Sequence, residues 1–103
     1  MGKASRVKGA AGEREVAAIF QDAGFDVNRV PNSGALRIKG DLYGVGVPWH
    51  IEVKRKERLD LWASLAQAEA ECGAKEPVLC FRRNRSDWYG AMKLAALVEL
   101  IRV

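Results

Sequence analysis

Trp49-His50-Ile51-Glu52-Val53-Lys54-Arg55 is the stretch around which the rest of this chain is read. Side chains alternate faces along a strand, so Ile51 and Val53 point into a core while Glu52 and Lys54 share the opposite side, about 7 Å apart at Cα. Upstream, Gly40-Asp41-Leu42-Tyr43 opens as a short turn and begins a second strand, and Gly44-Val45-Gly46-Val47-Pro48 supplies the turn between the two. An antiparallel pair joined in this way brings Asp41 close to Glu52. Two carboxylates and an ammonium on one sheet face make a candidate site for a divalent cation and a phosphate, because Mg²⁺ prefers hard oxygen ligands and lysine can hold a phosphate oxygen or polarise a water. A Glu-x-Lys triplet alone is weak, since alternating charge on an open strand face is usually just solvated. Its weight depends on what else converges on it.

The chain has 103 residues, enough for one core and too few for two, so residues 1–103 form a single domain. With 49% hydrophobic and 29% charged residues it reads as globular rather than disordered. A net charge of +4 tilts it toward a polyanionic partner, although the placement of the charge matters more than the sum. Cys72 and Cys80 stand apart with no Cys-x-x-Cys or Cys/His grouping, which argues against a zinc site or a disulfide scaffold and leaves them as core thiols. No apolar run approaches the roughly 20 residues needed to span a bilayer, and no apolar segment follows the basic N-terminus. The expected location is intracellular and cytoplasmic.

Residues 1–8 are small and basic without periodicity, and are expected to form a flexible arm. A helical pattern follows from Gly12, with Val16, Ile19, Phe20 and Ala23 inward and Gly24 as the stop. Glu13 lies one turn before Val16 and extends the inward stripe, which for a carboxylate calls for a metal, an arginine partner or a helix terminus. Phe25 to Val30 alternates as a strand carrying Arg29, and Pro31-Asn32-Ser33-Gly34 breaks it. Residues 35–39, with Arg37 and Lys39, read equally as a mobile loop or a short irregular link. Leu59 to Cys72 has a helical stripe of Leu61, Leu65, Ala68 and Cys72, with Trp62 beside it and Gly73 as its stop. Pro77 to Phe81 is a short apolar run, hence a buried strand. A charged turn follows, then a strand from Trp88 to Lys93 and a helix from Leu94 to Ile101 with Leu97, Leu100 and Ile101 inward. The order α-β-β-β-α-β-β-α describes a mixed sheet flanked by helices, an α/β sandwich.

The sequence Glu13-Arg14-Glu15, Gly24-Phe25-x-Val27-x-Arg29, Ser33-Gly34, Asp41 and Ile51-Glu52-Val53-Lys54 resembles the archaeal-type Holliday junction resolvases of the PD-(D/E)xK nuclease superfamily, over most of residues 8–56. The resemblance implies a restriction-endonuclease-like α/β fold with an α-β-β-β-α-β core. It implies metal binding by Glu13, Asp41 and Glu52, a catalytic Lys54, Ser33 in a catalytic loop, and Arg14 and Arg29 near the substrate phosphate. It further implies Mg²⁺, with Mn²⁺ as an alternative, a homodimer, and paired cuts in four-way DNA junctions. The family runs longer after the second helix and has dimer-forming aromatics there that find no evident match. The compact ending Pro77 to Leu94 is similar to small phage-encoded relatives of the fold. Gln67 falls where some superfamily members carry a polar active-site residue, and an exposed helical glutamine is an equal reading.

Backbone contacts to DNA are expected from Arg37 and Lys39, from Arg55, Lys56 and Arg58, and from Arg82, Arg83 and Arg85, the tightest basic cluster in the chain. No segment resembles a base-reading helix, so recognition is expected to rest on phosphate placement and DNA shape. Trp49, Trp62 and Trp88 read as core or interface anchors, and His50 as structural or solvent-facing. Two other readings stay open: a nuclease of the same fold acting on other branched or duplex DNA, and a non-catalytic basic DNA-binding module whose carboxylates pair with Lys54 and Arg29.

Overall fold

The structure, a computed structural model, describes residues 3–31 and 40–102, with side chains from Gly9 onward. Its elements are α1 (Lys3–Asp22), β1 (Val27–Arg29), β2 (Leu42–Gly44), β3 (Trp49–Arg55), α2 (Leu61–Glu71), β4 (Glu76–Arg82), β5 (Tyr89–Ala91) and α3 (Leu94–Ile101). This is the expected α/β sandwich and the expected element order. The strands form one sheet in the order β1-β2-β3-β4-β5. Neighbours are antiparallel except β3 and β4, which run parallel from Trp49↔Glu76 to Arg55↔Arg82. A parallel pair needs a crossover, and α2 supplies it.

Helix α1 begins at Lys3, so the segment expected as a flexible arm through residue 8 enters the helix instead. Its other end is well defined. Gly24, at φ +96°, lets its own N–H reach Gln21 O (2.9 Å) and Phe25 N–H reach Phe20 O (3.0 Å). This is a Schellman closure, sealed by an edge-to-face contact of Phe20 and Phe25 with ring centroids 6.3 Å apart. The buried stripe is Gly12, Val16 and Ala17 with Phe20 half-buried, whereas Ile19, expected inward, is exposed. The stripe brings Gly12 against Trp88, where a Cβ would meet the indole at 3.4 Å. Helix α2 starts at Leu61 because the Asp60 carboxylate accepts the Ala63 N–H (2.9 Å).

Two cores sandwich the sheet. Beneath α1, Val16, Ala17, Val27, Leu42, Val47, Ile51, Val78 and Cys80 form one cluster, with Trp49, Val53, Trp88 and Met92 packed against it. Burying Ile51 or Leu42 fully is worth about 1.5–3 kcal/mol each. Cys80 sits in this layer, and burial pushes its thiol up to about 11. Beneath α2, Leu79, Ala68 and Ser64 are buried together with His50 and Glu52. Two expected packing assignments fail. Leu97, Leu100 and Ile101 of α3 are exposed, and α3 has no buried residue. Trp62 is also exposed, at 81%, which removes the core alternative for it and leaves the interface one untouched. The α3 sequence is apolar nearly all round, so periodicity could not select a buried face.

Candidate active site

The site is built from the backbone of β3 outward. His50, Glu52 and Lys54 alternate onto the face that α2 covers, and Ile51 and Val53 onto the face that α1 covers. Glu52 is 4% exposed and His50 3%, and a 2.8 Å hydrogen bond joins His50 Nε2 to Glu52 Oε1. Lys54 is half-buried and forms no ion pair among the described residues.

Asp41 is pinned just before β2. Its N–H donates to Ile51 O (2.9 Å), its carbonyl accepts from Val30 N–H (3.0 Å), and its Oδ2 accepts from Val53 N–H (2.7 Å). The glycine before it is required twice over. Gly40 has φ +97°, and a Cβ would meet Ile51 O at 3.1 Å and the His50 ring at 3.2 Å. The Gly40-Asp41 pair therefore presses the aspartate against β3, beside Glu52.

The third acid is Glu71, the last residue of α2. Ligand atoms of His50, Glu52 and Glu71 all lie within 4.8 Å of one another. Burial pushes the Glu52 carboxyl up to about 8, and the charges of Asp41 and Glu71, with hydrogen bonds that the protonated Glu52 donates to both, add to the effect. A desolvated carboxylate crowded by two others, next to an imidazole, is a donor set suited to a divalent cation, which would offset the repulsion. Glu71 and His50 were not among the expected ligands. Glu71 is legible in retrospect, because Ser64, Ala68 and Glu71 follow i, i+4, i+7 along the inward face of α2.

The structure brings Asp41 to Glu52 and sets Lys54 on the same face of β3. It places Glu13 elsewhere: its Oε1 accepts from Arg29 Nε at 3.0 Å, and Arg29 lies in register with Leu42, on the α1 side. Gln67 is exposed. Ser33, Arg37 and Lys39 lie outside the described residues. Arg55 and Arg82 are held by Glu15, at 3.2 and 2.7 Å, and Trp88 Nε1 donates to the same carboxylate at 3.1 Å. Arg14, Lys56, Arg83 and Arg85 are exposed. Arg85 has φ 63°, inside the charged turn that joins β4 to β5.

Residues 4–102 match a family model described as "Phage putative PDDEXK endonuclease". Among solved structures the chain is similar to Archaeoglobus fulgidus Hjc, a Holliday junction resolvase from an archaeal hyperthermophile. The identity is 25% and the TM-score 0.53, over 78% of this chain and 72% of that one. No curated protein matches it.

Proposed function

Because this chain belongs to the phage PDDEXK endonuclease family, we propose that it is a structure-selective DNA endonuclease, dependent on Mg²⁺ or Mn²⁺, that resolves four-way junctions as a homodimer. Nuclease chemistry follows from the family; the substrate, ion and assembly are the proposal. The observation that carries it is the buried Glu52 carboxyl crowded by Asp41 and Glu71, on the sheet face that Lys54 shares. The name of the similar resolvase supports the junction as substrate.

Asp41, Glu52, Glu71 and His50 would hold the cation, which supplies Lewis acidity and charge neutralisation at a phosphodiester. Lys54, extended from the same sheet face, would orient the attacking water or a phosphate oxygen. Lys56, Arg83 and Arg85 would hold the flanking backbone, and Arg14 and Arg29, which line one groove with Gln21 and Asn28, a second stretch of it. Arg55 and Arg82 hold Glu15 and contribute less. Two copies related by a two-fold axis would account for paired cuts across a two-fold junction.

The test is cleavage of a synthetic four-way junction, a flap and a matched linear duplex, with and without Mg²⁺. Metal-dependent cutting of the junction in preference to the others is expected, with Asp41→Asn abolishing it while binding persists. Equal cutting of all three would move the reading to a general branched or duplex nuclease. Binding without any metal-dependent cutting would leave a non-catalytic DNA-binding module. Sedimentation of the free protein at twice the monomer mass is the expected outcome for the dimer.

A further inference from the structure

A cavity of about 270 Å³ opens where β3 and β4 end, on the same sheet face as Lys54. Its apolar walls are Leu59, Leu61, Phe81 and Tyr89, and Lys56 and Arg83 stand at its rim. Phe81 is in register with Lys54 on one side and with Tyr89 on the other, so the cavity begins one strand away from the candidate catalytic lysine, about 5 Å across the sheet. The Phe81 and Tyr89 rings stack at 6.1 Å with an interplanar angle of 30°. Tyr89 is still 58% exposed, which leaves most of the ring for something else to cover.

The rim charges are available. Lys56 and Arg83 form no ion pair among the described residues, and Lys56 lies just past the end of β3, two residues after Lys54. The acid in the lining, Glu57, has its Oε2 engaged by the Asn84 N–H at 2.6 Å, a bond that ties the segment after β3 to the β4–β5 turn and holds the mouth in shape.

We propose that this cavity is a subsite for one unpaired nucleotide beside the scissile phosphate, its base lying against Tyr89, Phe81, Leu59 and Leu61 and its phosphate on Lys56 and Arg83. This rests on the nuclease reading and adds to it a physical source of structure selectivity. The size suits a single base rather than a larger ligand, at the lower edge of small-molecule pockets. An aromatic and aliphatic wall stacks any base and reads none, so the subsite adds affinity without sequence preference. A base inside a continuous duplex must be unstacked and unpaired to enter, whereas one at a branch point or frayed end is already free, so branched DNA is favoured.

The experiment is a double-mutant cycle across the interface, with affinities measured in chelator so that no strand is cut. The DNAs are a four-way junction, the same junction with single abasic sites stepped along the nucleotides next to the branch, and a linear duplex. For the wild-type protein one abasic position is expected to weaken binding roughly tenfold, within the range for loss of one stacked base. Tyr89→Ala should weaken binding to the intact junction by a similar factor and make that abasic site silent, while Tyr89→Phe should behave as wild type. Tyr89→Ala that leaves the abasic effect unchanged, or a wild type indifferent to every abasic site, overturns the subsite. Should Tyr89→Ala fail to fold, the wild-type abasic series decides alone. A wild type that neither binds DNA nor cuts any of it with Mg²⁺ overturns the nuclease reading itself, whereas intact binding and cutting with silent abasic sites overturns only the subsite.

Discussion

Glu15 and Glu52 are both carboxylates held against one sheet, on opposite faces, and their surroundings could hardly differ more. Glu15 is 37% exposed in its side chain and is surrounded by donors: Arg55, Arg82 and the Trp88 indole, with the Arg82 guanidinium also 5.7 Å from the Trp88 ring centroid. It ties α1 to the ends of β3 and β4, and its charge is satisfied within the protein. Glu52 is 4% exposed, faces Asp41 and Glu71, and has the His50 imidazole at 2.8 Å, so its charge is opposed. A satisfied ion network makes structure, while a buried unsatisfied one stores repulsion that a cation can relieve. The difference separates scaffold from site, and each side of it can be broken separately.

The largest effect is expected on the opposed side. Glu52→Gln should reduce metal-dependent cleavage about a thousandfold or more, by removing a ligand and charge at the reacting phosphate, and should raise the melting temperature of the metal-free protein. Both are read from one preparation by a junction cleavage assay and thermal unfolding. A slower but still vigorous nuclease would show that Glu52 lies beside the chemistry rather than in it. Glu71→Gln should weaken metal affinity by about 10- to 100-fold, the range for a group supporting a metal site. Gln67→Ala, one turn earlier and exposed, should leave affinity alone. Calorimetric titration with Mn²⁺ distinguishes the two.

On the satisfied side, Glu15→Ala should destabilise the fold by about 2 kcal/mol, a figure held down by the partial exposure of the carboxylate. Chemical denaturation measures it, and a midpoint equal to wild type would show that the arginines find water as good a partner.

A further test sharpens the contrast through pH. Glu52 titrates at about 8 in the fold against an ordinary value of 4.5, so between those values the folded protein keeps a proton that the unfolded chain has lost. Raising the pH therefore favours unfolding: the protonated-state stability is fullest below 4.5 and is lost as pH climbs through 8. The melting temperature of the metal-free protein should fall from pH 5 to pH 9, Mg²⁺ should reduce that fall, and Glu52→Gln should flatten it. A slope that survives in Glu52→Gln would assign it to another group.

Much of this was legible from local pattern. Period-two alternation in Trp49 to Arg55 placed Glu52 and Lys54 on one face, glycines at 24 and 73 marked helix ends, and the Gly40-Asp41 step marked the entry of the second carboxylate. Other features were not legible because they depend on which distant groups meet. Glu13 and Glu15 are two residues apart on one helix, and only packing decides that one meets Arg29 while the other meets Arg55, Arg82 and Trp88. His50 reads as an incidental strand residue until the Glu52 carboxylate is seen 2.8 Å away. The apolar run of α3 could not name a buried face, and the fold buries none of it.

The sequence by itself determined the α/β class, the order of the elements and the side of β3 on which Glu52 and Lys54 stand, because backbone periodicity and glycine turns are local properties of the chain. Only the tertiary structure decided that Glu71 rather than Glu13 joins that face, that His50 bonds to Glu52 there, and that Arg55 and Arg82 meet Glu15 on the opposite side. Helix α1 and helix α2 cover opposite faces of one sheet, and a carboxylate's environment is set by the face it reaches, which no spacing along the chain records.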